Sequence, residues 1–196
     1  SYMFEKEIIP YLLMNLSKNL IKISVGAQPN SSPHFGTLET IALSFGLAKK
    51  ITEVDSNKKV IILYEVIETA PGEEVIIDGI KYQKNLKTTG KVYTYMKEYI
   101  EILDHYKAIT GIEYEIRYQN EFNNQEEIGY IVKKIINSKD YICKRLDPKH
   151  NNLRIRMSCP KCGLTDKNSV KNKYMDNSII FYCPNHGEYT ADIIKD

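Results

Sequence analysis

"IKISVGAQPNSSPHFGTLETIALSFGLAKKI", residues 21–51, is the stretch on which the fold turns. Its opening "IKISV" is a short, β-branched apolar run bounded by polar residues and a glycine, the composition of a buried strand. From Thr37 to about Ile51 the apolar residues recur at helical spacing. Between them lies the long loop Gly26 to Thr37, where two or three turn residues would have sufficed. "KKVIILYE", Lys58 to Glu65, then supplies a second buried strand. Strand, loop, helix, strand is the first unit of a parallel α/β sheet.

Outward from this unit the pattern continues. Residues from about Met3 to Lys18 have helical apolar spacing, with Pro10 as a kink or boundary. After Glu65, "VIIDGIKY" places Asp78-Gly79 between two apolar stretches, the signature of a type I′ hairpin, read as an insertion near the sheet edge. "GKVYTYMKEYIEILDHYKAITG" predicts a long amphipathic helix stopped at Gly111, "IEYEIRY" a further strand, and about Gln125 to Ser138 another helix. Beyond "LDPKHNN" the chain turns to cysteines, turn residues and short strands. A boundary near Pro148 therefore divides a Rossmann-like nucleotide-binding region, 1–147, from a small module, 148–196.

Length and charge set limits. The 196 residues suffice for one sizeable core with an appended module. A formal charge of +2 and a pI near 8.2 are too mild to specify a nucleic-acid partner. No apolar run reaches the roughly 20 residues of a membrane span, and no signal-type segment opens the chain, so a cytoplasmic protein is expected.

The small module carries the sharpest motif. "CPKCG" at Cys159 to Gly163 and "CPNHG" at Cys183 to Gly187 are turns of identical layout, each offering two ligands separated by two residues. Cys159, Cys162, Cys183 and His186 make a Cys3His set, the complement of a tetrahedral structural zinc, and the residues between the knuckles suit the arm of a zinc ribbon. With four protein ligands no coordination position is left for an activated water, so the ion should hold the module together. Cys143 stands outside this pattern and reads as a buried apolar-type cysteine.

A loop at the carboxyl end of a parallel strand, opening onto a helix N-terminus, is where α/β sheets bind nucleotides. The small residues Asn30, Ser31 and Ser32 would let phosphates approach the backbone there, Gly36 would permit close contact with the nucleotide ring or ribose, Gly26 and Gln28 are further nucleotide-binding candidates, and His34 is the one titratable group aimed at the site. Its ring can stabilise charge developing during attack on an α-phosphate.

"QPNSSPHFGT" resembles the first signature of class I aminoacyl-tRNA synthetases, the histidine-x-glycine-histidine or asparagine element. His34, Phe35, Gly36 and Thr37 occupy its four positions, Thr37 standing where the family has histidine or asparagine. The long helix, "TGIEYEIRYQNEF", the next helix, and the paired knuckles with "GEYTADI" resemble the N-terminal catalytic half of a class I lysyl-tRNA synthetase. The resemblance implies catalytic roles for His34 and Thr37, ATP as substrate with magnesium, a structural zinc, and lysine and tRNA as partners. It also implies a second, lysine-rich signature loop, which no string here supplies: "NLSKN" (Asn15 to Asn19) precedes the first strand and "RMSCP" belongs to the ribbon. The expectation is half a site, which would not aminoacylate tRNA alone. Two other readings stand beside it: a synthetase-derived module that binds tRNA or a protein without chemistry, and a free-standing nucleotidylyltransferase. Tyr64 and Glu65, ending the second strand, are candidates to face an amino-acid pocket, and the basic stretch Lys144 to Arg156 is a candidate to meet the tRNA acceptor arm.

Overall fold

The computed structural model describes residues 4–195. A π-helical turn, Phe4–Ile8, leads into α1 (Ile9–Asn15), so the helix expected from Met3 to Lys18 is shorter, and Met3 itself lies outside the described residues. There follow β1 (Leu20–Ala27), α2 (Phe35–Val54) and β2 (Lys59–Val66), then β3 (Pro71–Ile77) and β4 (Ile80–Asn85). The short α3 (Leu86–Thr89) precedes α4 (Lys91–Thr110), β5 (Glu113–Tyr118), α5 (Gln119–Asn123), α6 (Glu126–Asn137) and α7 (Lys139–Leu146). The last elements are β6 (Thr165–Asp166), β7 (Lys173–Tyr174), β8 (Ser178–Cys183) and β9 (Gly187–Asp192).

The chain forms two compact units, one of residues up to Ile67 with Val92–Tyr118, the other of Glu68–Lys91 with Gln119 onward. The division therefore does not fall near Pro148. It falls where the chain leaves the parallel sheet, because the segment after β2 pairs with the cysteine-bearing segment instead.

In the first unit three parallel strands run in the order β1-β2-β5, with Val25 beside Tyr64 and Glu65 beside Arg117. α2 turns Ile41, Phe45, Ala48 and Ile51 inward, a helical spacing that buries one stripe against β1 and β2. α4 buries Val92, Met96, Tyr99 and Leu103, and its Tyr106 ring stacks 5.7 Å from Phe45. One face of the sheet is thus covered. On the other, Lys22 and Ser24 are exposed and Arg117 lies 3.6 Å from Glu65. Hence β1 turns one face inward, with Ile21 and Val25 buried and Ile23 between them half-buried, where a fully buried strand was expected.

In the second unit β3 and β4 form the expected hairpin, with Asp78 and Gly79 at φ 49° and 75°, the left-handed pair a type I′ turn requires. It does not extend the parallel sheet. β4 pairs instead with β6, Tyr82 beside Asp166 and Gln83 beside Thr165. β7, β8 and β9 make a separate antiparallel sheet, on which Ile179, Phe181 and Ala191 cluster with Ile136 of α6. Buried Asp166 accepts hydrogen bonds from the backbone N–H groups of Asn168, Val170 and Lys171, which fixes the loop from β6 to β7. No helix among the described residues is long and apolar enough to cross a membrane.

Candidate functional sites

The metal centre is assembled by two turns on different sheets. Cys159 and Cys162 sit on the turn that feeds β6, and Cys183 and His186 on the turn between β8 and β9. Gly163 closes the first turn, its N–H donating to the Cys159 carbonyl at 2.8 Å. It has φ 76°, and a Cβ there would come within 2.1 Å of Thr88 Cγ2, so only glycine fits.

The four ligand atoms lie within 4.8 Å of one another. Cys162 and Cys183 sulfurs are 3.5 Å apart, and His186 Nδ1 is 3.6 Å from Cys159 Sγ and 3.5 Å from Cys183 Sγ. A tetrahedron with the usual zinc bond lengths has sulfur–sulfur edges of about 3.8 Å and sulfur–nitrogen edges of about 3.6 Å. The donor set and spacing therefore fit a metal such as zinc. Burial pushes the Cys183 thiol up to about 11. At Cys159 burial acts the same way but is outweighed by backbone N–H donors from Lys161 and Cys162 and by neighbouring thiols, which bring it below its ordinary value. The environment thus eases deprotonation at one ligand, and a metal requires the deprotonated form. Cys143, buried on α7, lies outside the cluster.

A cavity of about 320 Å³ opens in the first unit at the carboxyl ends of β1 and β2. It is lined by Gly26, Gln28, Asn30, His34, Gly36 and Thr37 among others, so the loop residues picked from sequence do converge. Ser31 does not line it: its hydroxyl donates to the Ser32 carbonyl at 3.1 Å. His34 is the N-cap of α2, its carbonyl accepting from the N–H of Thr37 and Leu38 at 2.9 and 3.0 Å. Its Nε2 lies 3.4 Å from Thr37 Oγ1. A Cβ on Gly36 would stand 3.3 Å from His34 Cε1, a tight contact to which the ring would have to yield slightly.

Two further residues complete the wall, and sequence spacing signalled only one. Tyr64 lines the cavity with its hydroxyl buried and unpartnered, and burial holds that hydroxyl far above the ordinary tyrosine range. Tyr99, from α4, stands 6.2 Å from it, ring to ring, and donates to the Ser31 carbonyl at 3.4 Å. The strand alternation that turns Tyr64 inward turns Glu65 outward, where Ser24 Oγ donates to it at 3.3 Å and Arg117 pairs with it. No Asp, Glu, Lys or Arg among the described residues lines this cavity.

The basic stretch Lys144 to Arg156 is partly neutralised. Asp147 takes His150 at 2.8 Å and Arg154 at 2.7 Å, and these bonds hold its carboxyl below the usual range. No family model matches the sequence, and no curated protein matches it significantly.

Proposed function

We propose that the chain is the nucleotide-binding part of a class I aminoacyl-tRNA synthetase, of the lysine type, which binds ATP with magnesium and activates an amino acid for transfer to tRNA. In this reading β1, β2 and β5 with α2 and α4 are the first half of a Rossmann-type fold, and β7 to β9 with the two knuckles are a zinc ribbon. The observation that carries it is the position of His34: an N-cap histidine lining a cavity at the strand carboxyl ends, beside the first turn of α2. His34 would donate to the α-phosphate as charge builds, Thr37 Oγ1 would orient the ring, and Gly26 and Gly36 would leave room for the ribose. Zinc, held by Cys159, Cys162, Cys183 and His186, would stabilise the fold and take no part in the reaction. Lysine-dependent exchange of pyrophosphate into ATP, even at the low rate expected of half a site, tests this reading; exchange with another amino acid alone would keep the class and change the substrate.

One observation favours a second reading. The cavity lining contains no lysine or arginine to hold the β- and γ-phosphates. A module that binds nucleotide or the tRNA end without chemistry would show ATP binding and no exchange with any amino acid.

A further inference from the structure

The second unit contains a cavity of about 500 Å³ that the reading above does not use. Its wall is mostly polar, Met157 being the exception, with amides from Gln83, Asn85, Gln119 and Asn120 and hydroxyls from Thr69 and Thr165. Three cations line it, Lys87, Arg154 and Arg156, and no Asp or Glu among the described residues does.

Much of this wall is fixed by bonds among its own members. Asn85 Oδ1 accepts from the Thr88 N–H at 2.7 Å while its amide donates to Ser158 Oγ at 3.1 Å, and Thr165 Oγ1 donates to the Met157 carbonyl at 2.8 Å. Behind it the buried Glu68 carboxylate accepts from the N–H groups of Gln119 and Asn120, both at 3.0 Å. Thr69 donates to Gln119 Oε1, leaving the Gln119 amide nitrogen without a partner in the wall. Gln83 differs from these bonded groups. It is 3% exposed, yet its Oε1 accepts no hydrogen bond. A buried acceptor left open on a cavity wall is a place for a ligand's donor.

The charges narrow the ligand. Arg154 is tied to Asp147, but Lys87 and Arg156 have no ion-pair partner among the described residues. Two uncompensated cations match a dianion better than a single carboxylate, and a phosphate monoester carries nearly two negative charges at neutral pH. We propose that this cavity binds a phosphate monoester that also carries hydroxyl or amino donors, the phosphate held by Lys87 and Arg156 and a donor of the ligand by Gln83 Oε1. A free sugar phosphate and the phosphoribosyl end of an RNA share this chemistry.

The test uses the full, zinc-saturated chain, with ribose 5-phosphate as first probe because it carries no base to seek the cavity at His34. Calorimetric titration should show one site, with the side-chain amide signals of Gln83 and Asn85 shifting on binding. Arg156→Ala should weaken binding at least tenfold. Gln83→Met, which fills the same space without the open acceptor, should weaken it at least as much while leaving the thermal midpoint equal or higher, an outcome a merely structural glutamine would not give. A 5′-phosphorylated RNA trinucleotide binding more tightly than ribose 5-phosphate, with the same two sensitivities, would assign the site to RNA; weaker binding would assign it to a free metabolite. Absence of binding by either probe at millimolar concentration, inorganic phosphate binding as well as ribose 5-phosphate, or affinity unchanged by both substitutions would overturn the proposal.

Discussion

The sulfurs of Cys162 and Cys183 lie 3.5 Å apart although 21 residues of chain separate them, and the two turns that carry them belong to different sheets. A metal held by this cluster would therefore tie the hairpin sheet to the sheet of β7, β8 and β9. Cys159→Ser, or chelation, is expected to release one zinc per chain and to raise hydrogen exchange in β3 and β4 as well as in β8 and β9. The amides of β1, β2 and β5 should stay protected. Protection lost only after Pro148 would show that the hairpin does not depend on the metal. Because ligands must be deprotonated to bind, zinc affinity should also fall with pH.

Gly163→Ala should be among the most disruptive single changes in the second unit. It would place a Cβ at φ 76° and within 2.1 Å of Thr88 Cγ2. A cost of about 2 to 4 kcal/mol is expected from left-handed strain and overpacking together. Gly187→Ala, at φ 75° but facing open space, should cost only the strain, about 1 kcal/mol. Paired denaturation curves of the zinc-loaded variants would check the difference.

If the chain forms an adenylate as proposed, His34→Ala should remove about 2 to 4 kcal/mol of transition-state stabilisation from that step while changing ATP affinity much less. Thr37→Val should have a smaller effect in the same direction, since Thr37 acts through the ring it contacts. Pre-steady-state rates with ATP titrations separate the two quantities. Equal losses in affinity and rate would make His34 a ground-state contact only.

Tyr114 gives the first unit an alkaline limit. Burial, with the hydrogen bond from its hydroxyl to Asp104 at 2.7 Å, raises it from 10.0 to about 12. A raised folded-state pKa means that the protonated phenol is favoured by folding. Its contribution is complete below pH 10 and is lost as pH climbs toward 12. Tyr114→Phe should flatten the stability curve in that window, at a cost of about 1 kcal/mol at neutral pH for the missing hydrogen bond. Denaturant midpoints from pH 7 to 12 would show it.

How much of this was legible beforehand follows from the range of each interaction. The strand, loop and helix around His34 are local patterns, and so is each knuckle, because spacing within a few residues decides them. The type I′ turn at Asp78-Gly79 was equally local. What β4 pairs with was not: its partner, β6, is only two residues long and lies more than 80 residues away, with no periodicity to announce it. α7 went unseen because "KDYICKRL" is too short and polar for an apolar stripe. The exposed face of β1 was missed for another reason. A short β-branched run looks the same whether one face or both are covered, and only the neighbours decide. The orphaned Gln83 amide could not be foreseen at all, since a polar residue beside Tyr82 reads as the outward half of a strand.

The β3–β4 hairpin leaves the ribosome before α4 and β5, yet the strand that completes its sheet and the cysteines beneath it are made much later. Until then β4 presents an open edge that includes Tyr82, 1% exposed in the finished fold. Long-range pairing of this kind forms slowly, since a large loop must close before any contact rewards it. Maturation in zinc-poor cells should consequently leave a population with a native first unit and an adhesive hairpin, a species prone to edge-to-edge association. Yield of soluble protein, more than its stability once made, would then be governed by how promptly metal reaches the nascent chain.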